Sequence, residues 1–319
     1  MDYLQFKSKL LKKLEELTKD GDIKITNKET LKNNGLKLDG LVLQTEGSQI
    51  APIVYLEDFY EKYLSGYEMA DIAEQILLIA DTAIAEKNIP IVSKINWDGI
   101  KDDLFVSVVN AAANEELLKT IPHRRIEDLA VYAKIKVNEF DDGEASIRVT
   151  NDVLSLLKRT KDEVLNQAIL NSEKLEFKCR SMLETMFGLI DDDSEMLEEM
   201  FPKSNEPPMY VVTTKSSIDG ASILACRQAL YNIVDKVGED CFILPSSIYE
   251  VLLVPISAGI SLESLQDMVK EVNRTEVKAG EILSDNVYQY DRKNKRLTIA
   301  KVNDEVEEKL LSKVAHMTM

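Results

Sequence analysis

The residues MYVVTT, from Met209 to Thr214, begin the stretch of sequence that decides the fold. From there to Asp291, short apolar runs alternate with amphipathic helix patterns. The further apolar runs are GASILA at Gly220–Ala225, CFILPSS at Cys241–Ser247 and VLLVP at Val251–Pro255, and a helix pattern covers Ser261–Asn273. Short apolar runs bounded by turn residues predict strands, so the expected order is strand, strand, helix, twice over. This order is typical of an antiparallel sheet with helices on one face.

The residues before Met209 also show alternating helix and strand patterns. A leucine stripe predicts a surface helix over Asp2–Lys19, and period-two runs on either side of Asn33-Asn34-Gly35 predict a β-hairpin. The pair Thr160 and Glu163 has capping-box spacing, which predicts a helix start. Strands are further expected at Phe105–Val109 and Leu129–Val137, and a short helix capped by Asn114 at Glu115–Lys119. The sequence therefore predicts an α+β fold of mixed, mainly antiparallel sheets, with helices packed on one face and two lobes.

The segment 191–208 is the one marked change in composition. It holds seven carboxylates and one lysine, and it ends in Pro207-Pro208. This composition is typical of a solvated linker, and a metal site is disfavoured because three adjacent aspartates do not face one point on a helix. We therefore expect an N-terminal α+β lobe at 1–190, an acidic linker at 191–208 and a C-terminal α+β lobe at 209–319. A short final helix is expected from Asp304 to about Val314.

The charge balance limits the classes of partner. The chain has 56 acidic and 39 basic residues, a formal net charge of −17. Net repulsion from phosphates disfavours nucleic acid and anionic membrane surfaces as partners. No stretch approaches the roughly 18 apolar residues of a membrane span, and the N-terminus lacks a signal-peptide pattern. Together with three cysteines at no Cys-x-x-Cys spacing, these features predict a cytoplasmic protein without a disulfide framework.

Histidine is scarce, which disfavours a histidine-based metal centre or a Ser-His-Asp triad. Of the two histidines, His123 lies in a local basic cluster with Arg124 and Arg125. The arginines could hold a carboxylate or phosphate while His123 transfers protons. Alternatively, these residues form a loop before a strand, and the arginines pair with Glu127, Asp128 or nearby acids. We favour the structural interpretation.

A second polar group follows the Ser261–Asn273 helix pattern. Its hydrogen-bonding side chains could build a pocket or a partner surface, or could cap the turn into a terminal hairpin; they are Asn273, Arg274, Ser284, Asp285 and Asn286. The sequence has no G-x-x-x-x-G-K and no G-x-G-x-x-G phosphate loop. Ser246-Ser247 lacks the flanking glycines of a nucleophile elbow. We therefore expect no cofactor and no metal.

Several strings resemble a family of proteins from gut clostridia and related Firmicutes, which is known only as a domain of unknown function. The similar segments span nearly the whole chain: Ile53–Tyr63, Pro122-His123-Arg124, Val149–Leu154, Ile243–Val251, Val272-Asn273 and Leu283–Arg292. The resemblance implies a bacterial cytoplasmic protein. It carries over no activity and no catalytic residue.

Two functions are compatible with these observations. The first is a non-catalytic protein-interaction or regulatory module that presents an acidic surface to a protein partner. The reason is that the sequence has a clear hydrophobic pattern for a core but no group of titratable residues that suggests catalysis. The second is a small anionic-ligand binder or enzyme that uses the His123-Arg124-Arg125 segment, with Asn273–Asn286 as the other wall. The second function requires the two segments to converge within about 10 Å on a concave pocket. The sequence leaves the oligomeric state open.

Overall fold

The computed structural model describes residues 1–19, 21–45, 51–85, 95–140, 143–186, 208–245 and 247–301. The chain forms two compact units, Met1–Lys94 and Ile95–Met319. Within the described ranges, no helix is both long and apolar enough to cross a membrane.

Among its described residues, the first unit has a three-stranded antiparallel sheet, in the order β1-β2-β3, and three α-helices. Its elements are α1 (Tyr3–Thr18), β1 (Ile23–Leu31), β2 (Lys37–Thr45), β3 (Ile53–Tyr55), α2 (Leu56–Leu64) and α3 (Met69–Ala85). Phe6, Leu10 and Leu14 lie one helical turn apart and are fully buried against the sheet. The predicted hairpin is confirmed, since Asn34 and Gly35 adopt the positive φ values that a tight turn requires.

The second unit begins with a four-stranded sheet built around one long strand. Its strands are β4 (Leu104–Asn110), β5 (His123–Ile126), β6 (Leu129–Phe140) and β7 (Gly143–Arg148), and β6 pairs with each of the other three. Its helices are α4 (Trp97–Ile100), α5 (Glu115–Leu118), α6 (Asn151–Leu157) and α7 (Lys161–Ser172). The capping box is confirmed at Thr160 and Glu163, and it starts α7, whose apolar stripe packs on β4.

A six-stranded sheet completes the second unit, in the order β13-β12-β10-β11-β9-β8. Its strands are β8 (Phe177–Ser181), β9 (Tyr210–Thr214), β10 (Cys241–Leu244), β11 (Glu250–Pro255), β12 (Tyr288–Asp291) and β13 (Arg296–Ile299). Its helices are α8 (Met182–Met186), α9 (Arg227–Val237) and α10 (Leu262–Thr275). The α+β class is confirmed, and every strand pair among the described residues is antiparallel.

Helices cover both faces of the six-stranded sheet rather than one. In β10, Cys241 and Ile243 belong to the core that includes α9, whereas the neighbouring Leu244 belongs to the core that includes α10. Successive strand residues point to opposite faces. The strand CFIL is apolar throughout because each face is covered by a helix.

The apolar run Gly220–Ala225 is a 3-10 helix, so the prediction of a strand there is wrong. All six residues are buried, and a short apolar run does not by itself distinguish a strand from a buried helical turn. Asp219 has a φ of 50°, which turns the chain away from β9. A Cβ on Gly220 would lie 1.9 Å from the carbonyl oxygen of Tyr249, so this close approach admits only glycine.

The predicted cap at Asn114 is also wrong. The helix Glu115–Leu118 forms, but the Asn114 side chain makes no capping hydrogen bond. Its amide instead donates to the backbone oxygen of Asn110 at 2.8 Å. The asparagine therefore fixes the turn that leaves β4.

The compact units divide at Lys94 and Ile95, a different place from the expected linker at 191–208. Residues 191–207 lie outside the described ranges, as does the predicted helix from Asp304 to Val314. The strands on either side of that segment pair with each other, because β8 runs antiparallel to β9 from Phe177↔Thr214 to Ser181↔Tyr210. Sequence composition marks an acidic segment, whereas strand pairing decides which segments share a sheet.

Candidate functional site

The basic cluster lies in a strand, not in the loop that the sequence predicted. His123, Arg124 and Arg125 form most of β5, paired with β6 from His123↔Tyr132 to Ile126↔Leu129. The Arg124 guanidinium donates to Asp162 and to Asn166 on α7, each at 3.0 Å. This pairing with a nearby acid fits the structural interpretation and neutralises one of the two arginines.

The other two residues of the cluster have different surroundings. Nδ1 of His123 lies 3.0 Å from the carbonyl oxygen of Ile121. A carbonyl can only accept a hydrogen bond, so this contact favours the tautomer with the proton on Nδ1. Arg125 is exposed. The cluster therefore offers one exposed cation and one oriented imidazole.

The second predicted group is divided between a helix and the loop after it. Arg274 and Asn273 lie in the last turn of α10. The Arg274 guanidinium forms two 2.8 Å bonds with Glu271 on the same exposed helix face. Asn273 is buried, and its amide donates to the backbone oxygen of Ser284 at 3.0 Å and to Asp285 at 2.8 Å. Asn273 thus ties the loop to α10.

Two residues of the second group, Ser284 and Asn286, meet Asp128 in the turn between β5 and β6. Its carboxylate accepts hydrogen bonds from Ser284 Oγ at 2.6 Å, from Asn286 Nδ2 at 3.0 Å and from the hydroxyl of Tyr288. We call these four residues the Asp128 junction. Burial raises the pKa of the Tyr288 hydroxyl, and its hydrogen bond to Asp128 raises that pKa further. The junction joins the two sheets of the second unit through neutral donors.

The Asp128 junction lies at the turn end of the β5–β6 hairpin, whereas His123 begins β5 at the other end. The rise of an extended strand places them about 10 Å or more apart along the hairpin. The structure thus brings Ser284 and Asn286 onto the turn beside β5, and it separates them from the imidazole.

A buried ion pair that the sequence analysis missed lies across β4, β6 and the turn before the 3-10 helix. Asp219 is 7% exposed, and its carboxylate accepts hydrogen bonds from Lys134 Nζ at 2.7 Å and from the Ser107 hydroxyl. We call these three residues the Asp219 network. The turn signal Asp219-Gly220 was visible in the sequence, but nothing local to it indicates a partner 85 residues away.

The electrostatics of the Asp219 network keep Lys134 charged. Burial lowers the pKa of the Lys134 ammonium group, but the charge and hydrogen bond of Asp219 outweigh burial, so the net pKa is raised. A general base needs a free lone pair near neutral pH. Lys134 therefore stabilises the fold as a cation and does not supply a base.

The three cysteine thiols are also held in their protonated form. Burial raises the pKa of Cys179 to about 11 and that of Cys241 to about 12, and it raises the pKa of Cys226 as well. Nucleophilic and metal-binding cysteines are thiolates. Among the residues that the structure describes, no group of three or more His, Cys, Asp or Glu side chains could hold a metal ion.

An open cavity of about 320 Å³ lies at the β12–β13 turn, lined by Tyr231, Glu239, Asp240, Arg292, Lys293 and Lys295. We call it the basic cavity. The run Arg292-Lys293-Asn294-Lys295-Arg296 is its sequence signal, a concentration of cations in an acidic chain. This run is not among the candidate site residues predicted from the sequence.

Fold and sites together define an α+β protein whose second unit contains two antiparallel sheets joined by polar contacts. A family of unknown function, DUF5688, matches residues 3–292, so the chain belongs to that family. No curated protein and no solved structure matches the chain.

Proposed function

We propose that this protein is a non-catalytic protein-interaction or regulatory module that binds a partner with a basic surface. The observation that carries the proposal is that two carboxylates inside the fold are occupied by hydrogen bonds within the chain. Asp128 and Asp219 each accept hydrogen bonds at both carboxylate oxygens from groups of the same chain. These groups hold the scaffold together, and carboxylates so occupied are poorly placed to exchange protons with a substrate.

The charge supports a basic partner. At −17, the chain attracts positively charged surfaces and repels polyanions, and such complementarity accelerates association and favours the correct partner. We place the module in the cytoplasm, which is supported by free thiols at Cys179, Cys226 and Cys241.

A small anionic-ligand binder or enzyme at His123, Arg124 and Arg125 is the second candidate. The orientation of the imidazole by Ile121 favours it. The ion pair between Arg124 and Asp162 weakens it, because that arginine is already neutralised.

The test starts with capture on the immobilised full chain, followed by identification, purification and titration of the captured protein. We expect one-to-one binding that weakens at least about tenfold when salt is raised from low to high ionic strength, because salt screens exposed charges. An unrelated protein of matched net charge serves as the control. Equal binding to that control would contradict a specific partner.

A parallel assay addresses catalysis. The full chain is incubated with a mixture of small metabolites, and their concentrations are followed by mass spectrometry. Turnover that is abolished by Asp128→Asn or by Lys134→Met, in protein shown to remain folded, would overturn the proposal.

A further inference from the structure

The β12–β13 turn presents a concentration of positive charge at the basic cavity. Four of the six residues from Asp291 to Arg296 are cationic, in a chain with a net charge of −17. Arg292, Lys293 and Lys295 line the cavity beside the ring of Tyr231. Its volume of about 320 Å³ lies at the small end of ligand sites, which span roughly 300–1,000 Å³.

The carboxylates around this cavity are occupied by other groups of the chain. Glu239 accepts hydrogen bonds from the backbone N–H and the hydroxyl of Ser257, at 2.9 and 2.6 Å. Asp240 accepts the backbone N–H of Arg292 at 2.9 Å. Asp291 accepts both the backbone N–H and the side-chain amide of Asn294. These carboxylates therefore fix the backbone around the cavity by accepting its hydrogen bonds.

The cations are held differently. The Arg292 guanidinium is fixed by Asp235 at 2.8–2.9 Å and by the carbonyl oxygen of Gly238 at 2.7 Å, so its position is set by the end of α9. Lys293 and Lys295 form no ion pair with any residue that the structure describes. The ammonium group of Lys295 lies 3.6 Å from the ring centroid of Tyr231, a cation–π contact that keeps the charge at the cavity.

The backbone conformation of Lys295 in the β12–β13 turn sets the position of its side chain. Lys295 has a φ of 51°, a left-handed conformation that is uncommon for residues other than glycine. Such conformations cost free energy and are often retained at ligand sites. Here the strained position carries a cation that has no carboxylate partner in the described chain.

We propose that the basic cavity binds a small multivalent organic anion, a phosphate ester or a polycarboxylate. Lys293 and Lys295 contact the anion, and the Arg292 guanidinium, held in place by Asp235, forms part of the wall. The cavity uses none of the residues of the Asp128 junction or the Asp219 network. The proposal therefore stands apart from the interaction function, and each can fail without the other.

The test is calorimetric titration of the full chain with pyrophosphate, citrate and acetate at constant ionic strength. We expect saturable one-site binding of pyrophosphate, of citrate or of both, and no binding of acetate. The reason is that two lysine side chains attract an anion with several negative charges more strongly than an anion with one. In the Lys293→Gln/Lys295→Gln variant, binding is expected to weaken at least about tenfold. Binding of pyrophosphate alone assigns a phosphoryl ligand, and binding of citrate alone assigns a polycarboxylate.

The control is Lys158→Gln/Lys161→Gln. Lys158 is exposed and has the same φ of 51° as Lys295, so the control removes two surface charges and repeats the substitution at a matched backbone position. Its affinity is expected to stay within about twofold of wild type. An equal loss in the control, an absence of saturable binding, or equal affinity for acetate would overturn the proposal.

Discussion

At the scale of single residues, Asp128 shows how one carboxylate joins distant parts of the chain. Ser284, Asn286 and Tyr288 lie more than 150 positions away in sequence, yet all three donate to it. In the sequence, Ser284 and Asn286 are candidates because of their hydrogen-bonding groups, whereas Asp128 is expected only as a partner for arginine. The donors were visible in the sequence, but their acceptor was identified only by the folded structure.

Replacing Asp128 with asparagine tests the strength of the junction. The amide offers one acceptor oxygen in place of two, so at least one donor loses its partner. We expect the free energy of unfolding to fall by about 1–3 kcal/mol. Urea denaturation monitored by circular dichroism measures it.

Asp98→Asn is the matched control for this prediction. Asp98 has a side chain that is 87% exposed, and its one described ion pair, with Lys101, is at the surface. Its unfolding midpoint is expected to match wild type. A similar loss in both variants would show that charge, not the junction, sets the effect.

At the scale of elements, the sequence predicted most helices and strands because hydrophobic periodicity and capping are local properties. The Asn33–Gly35 hairpin, the capping box at Thr160 and helix α10 all form as expected. The run Gly220–Ala225 was mistaken for a strand because burial on all sides removes the periodicity. Only the approach of Tyr249 shows why glycine occupies position 220.

Gly220→Ala tests this close approach. The added Cβ would lie 1.9 Å from the Tyr249 oxygen and 2.9 Å from the Thr213 Cα, so the backbone must move. We expect a loss of about 3 kcal/mol in the free energy of unfolding. Thermal and urea denaturation measure it.

Gly21→Ala is the control, because its nearest neighbour would be the Thr18 oxygen at 3.8 Å, an ordinary contact. That variant is expected to stay within about 0.5 kcal/mol of wild type. If Gly220→Ala were equally neutral, the close approach would not govern the packing of this segment.

At the scale of the whole molecule, the compact units predict which fragments fold. Residues 95–319 contain both sheets of the second unit. A fragment of 209–319 lacks β8, which pairs with β9, and also lacks Ser107 and Lys134, which bind Asp219. We expect cooperative urea unfolding from 95–319 and none from 209–319. The opposite result would support the predicted boundary at 191–208.

The buried thiols predict a pH dependence of stability. Because burial raises the pKa of Cys179 to about 11 and that of Cys241 to about 12, from 9.0, the folded state keeps protons that the unfolded state loses. The stabilisation that the protonated thiols contribute is therefore complete below pH 9, and it is lost as the pH rises from 9 towards those pKa values. We expect the free energy of unfolding to fall by about 2 kcal/mol between pH 8 and pH 10.

Urea unfolding at fixed pH steps measures this loss. The Cys179→Ala/Cys241→Ala variant should show a shallower decline over the same range, whatever its stability at pH 7, because alanine does not titrate. An unchanged slope would exclude the thiols as its source.

The sequence by itself determined the fold class, most elements and the charge of the molecule, since helix and strand periods and caps depend on neighbouring residues and net charge depends on composition alone. The tertiary structure decided that Asp128 accepts hydrogen bonds from Ser284, Asn286 and Tyr288. It also decided that Asp219 pairs with Lys134 and that β8 pairs with β9. These contacts join residues dozens to more than a hundred positions apart in the chain. Their partners are set by how the sheets pack, and no local pattern encodes that packing.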